Sequence, residues 1–183
     1  EEIGMTNVDY ESIDEFKDVW VKNNAPALLK KYPLELVLRH LRRTSRDNAR
    51  TPMQWTDEVY AGFSTVEPIQ KINRNRSWLN VEAQEKDEQS ILNHYRRLIH
   101  LRKNPEYLET LVFGDFALLD PKNPDVYAYT RTSSQKKITV IANFRPTTIK
   151  FEHQAKAVCL SNYLDTKLNI TELRPYEAIV FEE

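Results

Sequence analysis

Glycine is scarce in this chain, three in 183 residues, and cysteine scarcer still, at one. There is no Gly-rich phosphate loop, and no nucleophile elbow or Cys/His pairing stands in its place. A single thiol, Cys159, cannot close an intramolecular disulfide, which fits a reducing compartment, the cytoplasm first, or a secreted protein that does without one. Neither sign of charge predominates: 26 Lys and Arg against 27 Asp and Glu leave a formal net charge of -1, without the basic surplus of a dedicated nucleic-acid binder. No stretch approaches the roughly 20 apolar residues of a membrane span, and the opening "EEIGMTNVDY" has none of the features of a signal peptide. His40, His94, His100 and His153 show no metal-ligand spacing with other ligands, so no metal site and no cofactor are expected.

What is present divides near residue 105. The chain opens without an initiator methionine, an apolar "IGM" following two glutamates, and reads as a fragment of a longer chain cut just after a strand. "SIDEFKDVWVKN" predicts a helix capped by Ser12, with Glu15 completing a capping box and Ile13, Phe16 and Val19 on one face. "LLKKYPLELVLRHLRR" predicts a second, carrying Leu34, Val37 and Leu38 on one side and broken or restarted by Pro33. From Thr51 to Val81 the turn formers of "TPMQW", "GFSTVEP" and "NRNRSWLN" predict a long loop, a length more often functional than incidental. "KDEQSILNHYRRLIHLRKN" is the clearest helix, with Glu82, Glu85, Asp87 and Glu88 at its start, a stripe of Ile91, Tyr95, Leu98 and Ile99, and Pro105 as its end.

After Pro105 the period becomes alternating. "TLVFGDFALLD", "VYAYTRT", "KKITVIANF", "TIKFEH", "KAVCLSN" and "EAIVFEE" are short, β-branched and aromatic, and predict an antiparallel sandwich or small barrel. The fold class is therefore α+β, with helices and loop over 1–105 and a β domain over 106–183. Tyr127 and Tyr129 share one face of a strand, where the core of a sandwich needs aromatics.

The densest chemistry lies in "RDNARTPMQW", Arg46 to Trp55. Residue types alone leave two accounts open. Arg46 and Arg50 can pair with nearby acids while Trp55 packs beneath the proline turn, or the forked guanidinium and amide groups can bind a polyol or carboxylate. Arg39, His40, Arg42, Arg43 and Arg46 form a basic patch without a stacking series, as at a solvated helix end.

Taken with "EEIGMTN", "ESIDEFKDV", "AGFSTVEP", "LNV" and "SILNHYRRLIHLRK", the run strongly resembles the α-glucosidase branch of glycoside hydrolase family 13. Oligo-1,6-glucosidases, dextran glucosidases, maltose-cleaving α-glucosidases and trehalose-6-phosphate hydrolases share these motifs in this order, and "NFRPTTIKFE" and "ITELRPYEAIVFE" resemble the family's β-sandwich, domain C. The resemblance implies that residues 1–105 are the end of a (β/α)8 catalytic barrel, its last helices and the loop after strand 8. It implies a parent enzyme that hydrolyses α-1,6- or α-1,4-linked glucose of short oligosaccharides with retention, and catalytic carboxylates that all lie upstream. The chain alone is then expected to be inactive, with the missing barrel as its partner, no nucleic acid and no membrane, and self-association through uncovered surface.

By the same resemblance Arg50 falls where the family holds the non-reducing-end glucose, with Arg46 and Asp47 bracing that loop. Trp20 stands where the family commonly has the glutamate of "DIE" or "DVE"; it can stack on a sugar or pack. Ile69 in "VEPI" and Asn75-Arg76 also depart from the pattern, at positions that bear on the outer subsites. A rival of another class is a free-standing carbohydrate-binding sandwich using Tyr107, Tyr127, Tyr129 and Tyr163.

Overall fold

Asp18 decides where the first long helix begins. Its Oδ1 accepts the backbone N–H of Trp20 at 3.0 Å, and α1 (Val19–Leu29) starts there. The helix expected from Ser12 is not formed. Ile13–Glu15 closes a single 3-10 turn, Ser12 makes no side-chain cap, and the Glu15 carboxylate accepts the N–H of Glu11. Phe16 follows with extended backbone and is fully buried, so the chain straightens to seat that ring before it can coil.

The computed structural model describes residues 2–183, which fall into two compact units divided between Asn93 and His94. Pro33 does restart the helix: α1 ends at Leu29 and α2 (Leu34–Thr44) has Pro33 at its N-cap. Val37, Leu38 and Leu41 of α2 close on Val8, Tyr10, Phe16, Val21 and Ala25 to make the core of the first unit. Burying each large side chain here contributes about 1.5–3 kcal/mol. Leu34 was expected in this set but is 52% exposed, bordering an open groove with Ala25, Pro26 and Leu29.

The long loop is irregular, as its turn formers predict, apart from a 3-10 turn at Arg74–Ser77. It ends at Asn80, whose Oδ1 accepts the N–H of Ala83 at 2.8 Å and caps α3 (Val81–Glu85). The acids expected at one helix start are thus split. Glu82 and Glu85 belong to α3, while Asp87 and Glu88 precede α4 (Ile91–Lys103), whose first turn holds no acid. None of the apolar stripe of α4 is buried; Ile91 and Ile99 are about half exposed.

Pro105 marks the end of α4, whose last residue is Lys103, but a new helix starts at the proline itself. Pro105 sits at the first position of α5 (Pro105–Leu108), capped by Asn104, and a wide helical turn, Glu109–Phe113, occupies what alternation had marked as strand. Strand β1 (Asp115–Leu118) begins only after Gly114, where an added Cβ would stand 2.5 Å from the Thr110 carbonyl oxygen. The rest of the second unit is β2 (Val126–Thr132), β3 (Lys137–Asn143), β4 (Ile149–Gln154), β5 (Ala157–Ser161), β6 (Asn169–Leu173) and β7 (Ala178–Glu182). All pairings are antiparallel, in a five-stranded sheet of order β1-β2-β3-β7-β5 and a two-stranded sheet of β4 and β6. The strand β6, "NITEL", has no counterpart in the sequence-based list, because its polar residues mask the buried pair Ile170 and Leu173.

Val126, Ala128, Ile141, Ile179 and Phe181 face Ile170 and Leu173 across the sandwich. This places Tyr127 and Tyr129 on the opposite face of β2, with Tyr127 46% exposed, so they do not serve that core. Among the described residues, no helix is long and apolar enough to cross a membrane.

Candidate functional site

Asp47 is the centre of the Arg46–Ala49 turn and is completely buried. Its Oδ2 accepts the backbone N–H groups of Lys17 at 2.9 Å and Asp18 at 3.0 Å and the Ser45 hydroxyl at 3.2 Å, and its Oδ1 accepts Nε2 of Gln70 at 2.8 Å. Charge-assisted hydrogen bonds of this kind are the strong ones. One carboxylate thereby ties the start of α1, the turn after α2 and the far part of the loop.

Asp18, also buried, pairs with Arg46 through two hydrogen bonds, Nε to Oδ2 at 2.9 Å and Nη2 to Oδ1 at 2.6 Å. That bidentate contact holds the Asp18 carboxyl well below the usual carboxylate range, against the opposing effect of burial. The same Oδ1 caps α1 through Trp20 N–H, so Arg46 and the first turn of α1 share one oxygen. Trp20 projects from that turn 48% exposed, and the Arg46 side chain is 62% exposed.

Arg50 ends the turn, its N–H donating to the Asp47 carbonyl at 3.0 Å. The residue is exposed, and among the described residues its guanidinium has no hydrogen-bond or ion-pair partner. The two arginines of the motif therefore differ: Arg46 is paired with an acid, and Arg50 has no polar partner for its guanidinium among the described residues.

Beyond Arg50 the chain is locked again. Gln54 is fully buried, its Nε2 donating to Oδ1 of Asn75 at 3.1 Å and to the Leu79 carbonyl, and its own carbonyl accepts Val81 N–H at 2.9 Å. Ala61 carries a positive φ of 56°, and its carbonyl takes the N–H groups of Trp55 and Thr56. Such a left-handed residue costs on the order of 1 kcal/mol. Trp55 is 48% exposed beside this turn rather than packed beneath the proline. On the other side, Asn73 Nδ2 donates to the carbonyls of Thr6 and Asn7.

Sequence reasoning named Arg46, Asp47, Arg50 and Trp20 and missed the contributions of Asp18, Ser45, Gln54 and Gln70. Asp18 was findable, since an aspartate just ahead of a helical run is an N-cap signature. The two glutamines were not, because each acts on a partner more than 20 positions away.

The arrangement presents groups rather than reacting ones. Asp18 is held by Arg46, Asp47 is saturated, and neither offers an open oxygen for proton transfer or attack. Among the described residues no three His, Cys, Asp or Glu side chains gather to hold a metal ion.

Known proteins resemble this chain along its whole length. A family model described as the alpha amylase catalytic domain matches residues 1–110. The chain is 41% identical over 194 aligned residues to an oligo-1,6-glucosidase of Bacillus cereus, covering all of this chain and 34% of that protein. The isomaltulose synthase structure from Klebsiella sp. LX3 superposes with a TM-score of 0.89 at 33% identity, covering 99% of this chain and 34% of that one. The trehalose-6-phosphate hydrolase of Bacillus licheniformis gives 0.89 at 31%, with the same coverage. The chain thus spans about a third of the length of the curated relatives it matches.

Proposed function

The chain belongs to the alpha amylase catalytic-domain family, and from that premise we propose that it is the C-terminal part of an α-glucosidase, its first unit supplying one wall of a glucose pocket. The observation that carries this is the unpaired, exposed guanidinium of Arg50 at the end of a turn otherwise fixed by Asp47 and the Asp18–Arg46 pair. A forked donor held this way suits the hydroxyls of a terminal α-linked glucose, in α-1,6 or α-1,4 linkage on a short oligosaccharide. A sugar without the matching hydroxyl would leave such a group unpaired, which is a strong source of selectivity. Trp20 adds a flat apolar face on which a sugar can stack, and Arg46 and Asp47 brace the wall.

Hydrolysis with retention needs two carboxylates roughly 5 Å apart, and in this proposal both belong to the rest of a catalytic barrel outside these 183 residues. The accessible surface supports a missing cover. It measures 12046 Å², more than the roughly 11,000 Å² that two separate compact domains of half the mass would expose. Among the exposed surface is an apolar groove of about 300 Å³ lined by Leu28, Tyr32, Leu36, Val37 and His40. In the absence of the barrel a second copy of the chain would cover the same surface. The free thiol of Cys159 favours a cytoplasmic location.

The test is hydrolysis of p-nitrophenyl α-glucoside by this chain, by the full-length protein that carries it, and by the full-length Arg50→Ala variant. A silent chain, an active parent and a variant with most of its kcat/KM lost is the expected result. Turnover by the chain alone would refute the assignment of the carboxylates to the missing part.

A second account draws on the row of rings formed by Phe116, Tyr129 and Tyr127, with centroid separations of 5.3 and 5.5 Å away from the sandwich core. It makes the second unit a carbohydrate-binding module in its own right. Titration of Tyr fluorescence in residues 94–183 with maltose and isomaltose decides it: saturable change favours the module, and none removes it.

A further inference from the structure

Resting on the pocket proposed above, we propose that Asp47 is the positioning residue of the sugar site: it never touches the glucose, and it sets Arg50 in place to do so. The residue is completely buried, which removes it from any ligand, yet its side chain accepts four hydrogen bonds from three separate parts of the chain. Its main chain completes the connection, the carbonyl accepting Arg50 N–H at 3.0 Å. The Arg50 guanidinium has no hydrogen-bond or ion-pair partner among the described residues, so the backbone of the turn sets the point from which it reaches. The backbone of Arg50 is thereby tied through Asp47 to Lys17, Asp18 and Gln70, alongside the Arg46–Asp18 pair and the Asn48 N–H bond to the Ser45 carbonyl in the same turn.

Gln70 makes the idea testable without unfolding the protein. Its Nε2 donates to Asp47 Oδ1, while its own Oε1 is buried with no partner among the described residues. In Asp47→Asn, the new amide oxygen keeps the Lys17 and Asp18 N–H groups, and the new NH2 faces Gln70. A half-turn of the Gln70 amide then brings Oε1 to accept it. Asp47→Asn therefore retains the connections, Asp47→Ala loses all four, and Gln70→Glu sets one carboxylate against another.

The experiment measures the inhibition constant of glucose, competing with p-nitrophenyl α-glucoside, in the full-length protein. This constant is insensitive to the fraction of enzyme that is folded, so a purely structural defect leaves it unchanged. Expected are a rise of at least tenfold in Arg50→Ala, a similar rise in Asp47→Ala, and little further rise in the double variant, because one effect runs through the other. Asp47→Asn recovers most of the loss, and Gln70→Glu is restored by adding Asp47→Asn. Faster hydrogen exchange at the Lys17 and Asp18 amides in Asp47→Ala supplies an activity-free readout of the same clamp. An unchanged constant in Asp47→Ala, or effects of Asp47→Ala and Arg50→Ala that multiply independently, overturns the positioning role while leaving the pocket intact. An unchanged constant in Arg50→Ala overturns the pocket and this role with it.

Discussion

Removing one oxygen atom from Tyr10 should make the first unit more stable. Tyr10 is completely buried, its ring centroid lies 4.3 Å from that of Phe16, and its hydroxyl finds no hydrogen-bond partner among the described residues. A buried hydroxyl left unpaired costs about 1–3 kcal/mol, whereas Phe preserves the ring contact and the packing. Tyr10→Phe should therefore gain about 1 kcal/mol at neutral pH, or roughly 4–8 °C in Tm for a domain of this size.

The pH dependence sharpens the test. Burial, followed by the charges of Asp47 and Glu15, pushes the Tyr10 phenol from 10 up to about 12. A folded-state value above the unfolded one favours the neutral form in the folded state. The corresponding stability is fully present below pH 10 and is lost as pH rises through 12, about 2–3 kcal/mol across the interval. The variant has no phenol at this position to lose, so its advantage over the native chain should widen from pH 10 upward. Urea unfolding followed by tryptophan fluorescence isolates the unit concerned, because Trp20, Trp55 and Trp78 all precede residue 94. A Phe variant less stable at pH 7, or an advantage that stays flat between pH 9 and 11.5, would refute the account of Tyr10.

Three further outcomes follow from other sites. The Asp18 carboxyl, depressed by its hydrogen bonds with Arg46, contributes stability that is present above the unfolded value near pH 4 and lost as pH falls below it; acid unfolding of Asp18→Asn should show a shallower slope between pH 4 and 2 than the native chain, and equal slopes would exclude the pair as its source. Gly114→Ala drives a Cβ to 2.5 Å from the Thr110 carbonyl oxygen and 2.8 Å from that of Thr132, both rigid backbone, and should cost the second unit about 1–3 kcal/mol by near-UV circular dichroism of its tyrosines. Leu41→Ala, at a site with no exposed surface, should destabilise the first unit by about 2–5 kcal/mol in the same fluorescence assay, and a loss under 1 kcal/mol would show that Leu41 is not a core residue.

Much of the second unit was legible because its signal is local. Alternation along "VYAYTRT" and "KKITVIANF" identifies β2 and β3 nearly to the residue. It also puts Tyr127 and Tyr129 on one face, but it is silent on which face the second sheet covers. Ile170 and Leu173 of the unrecognised strand β6 settle that by packing on the side of Val126 and Ala128. At 109–113 the residues are equally compatible with strand and helix, and the Asn104 cap with Pro105 behind it carries the coil forward through Phe113.

By itself, then, the sequence determined the α+β order of elements, the break at Pro33, the long loop and the motif from Arg46 to Trp55, since each depends on periodicity or on residues a few positions apart. Tertiary structure alone decided that Asp47 joins three segments and that Arg50 is the arginine left unpaired. The physical reason is distance along the chain. Three of the four donors to the Asp47 carboxylate come from Lys17 and Asp18, 30 and 29 positions before it, and from Gln70, 23 positions after, while Ser45 alone is local. A pairing competition among groups that far apart is resolved only when packing brings one donor set within hydrogen-bonding reach.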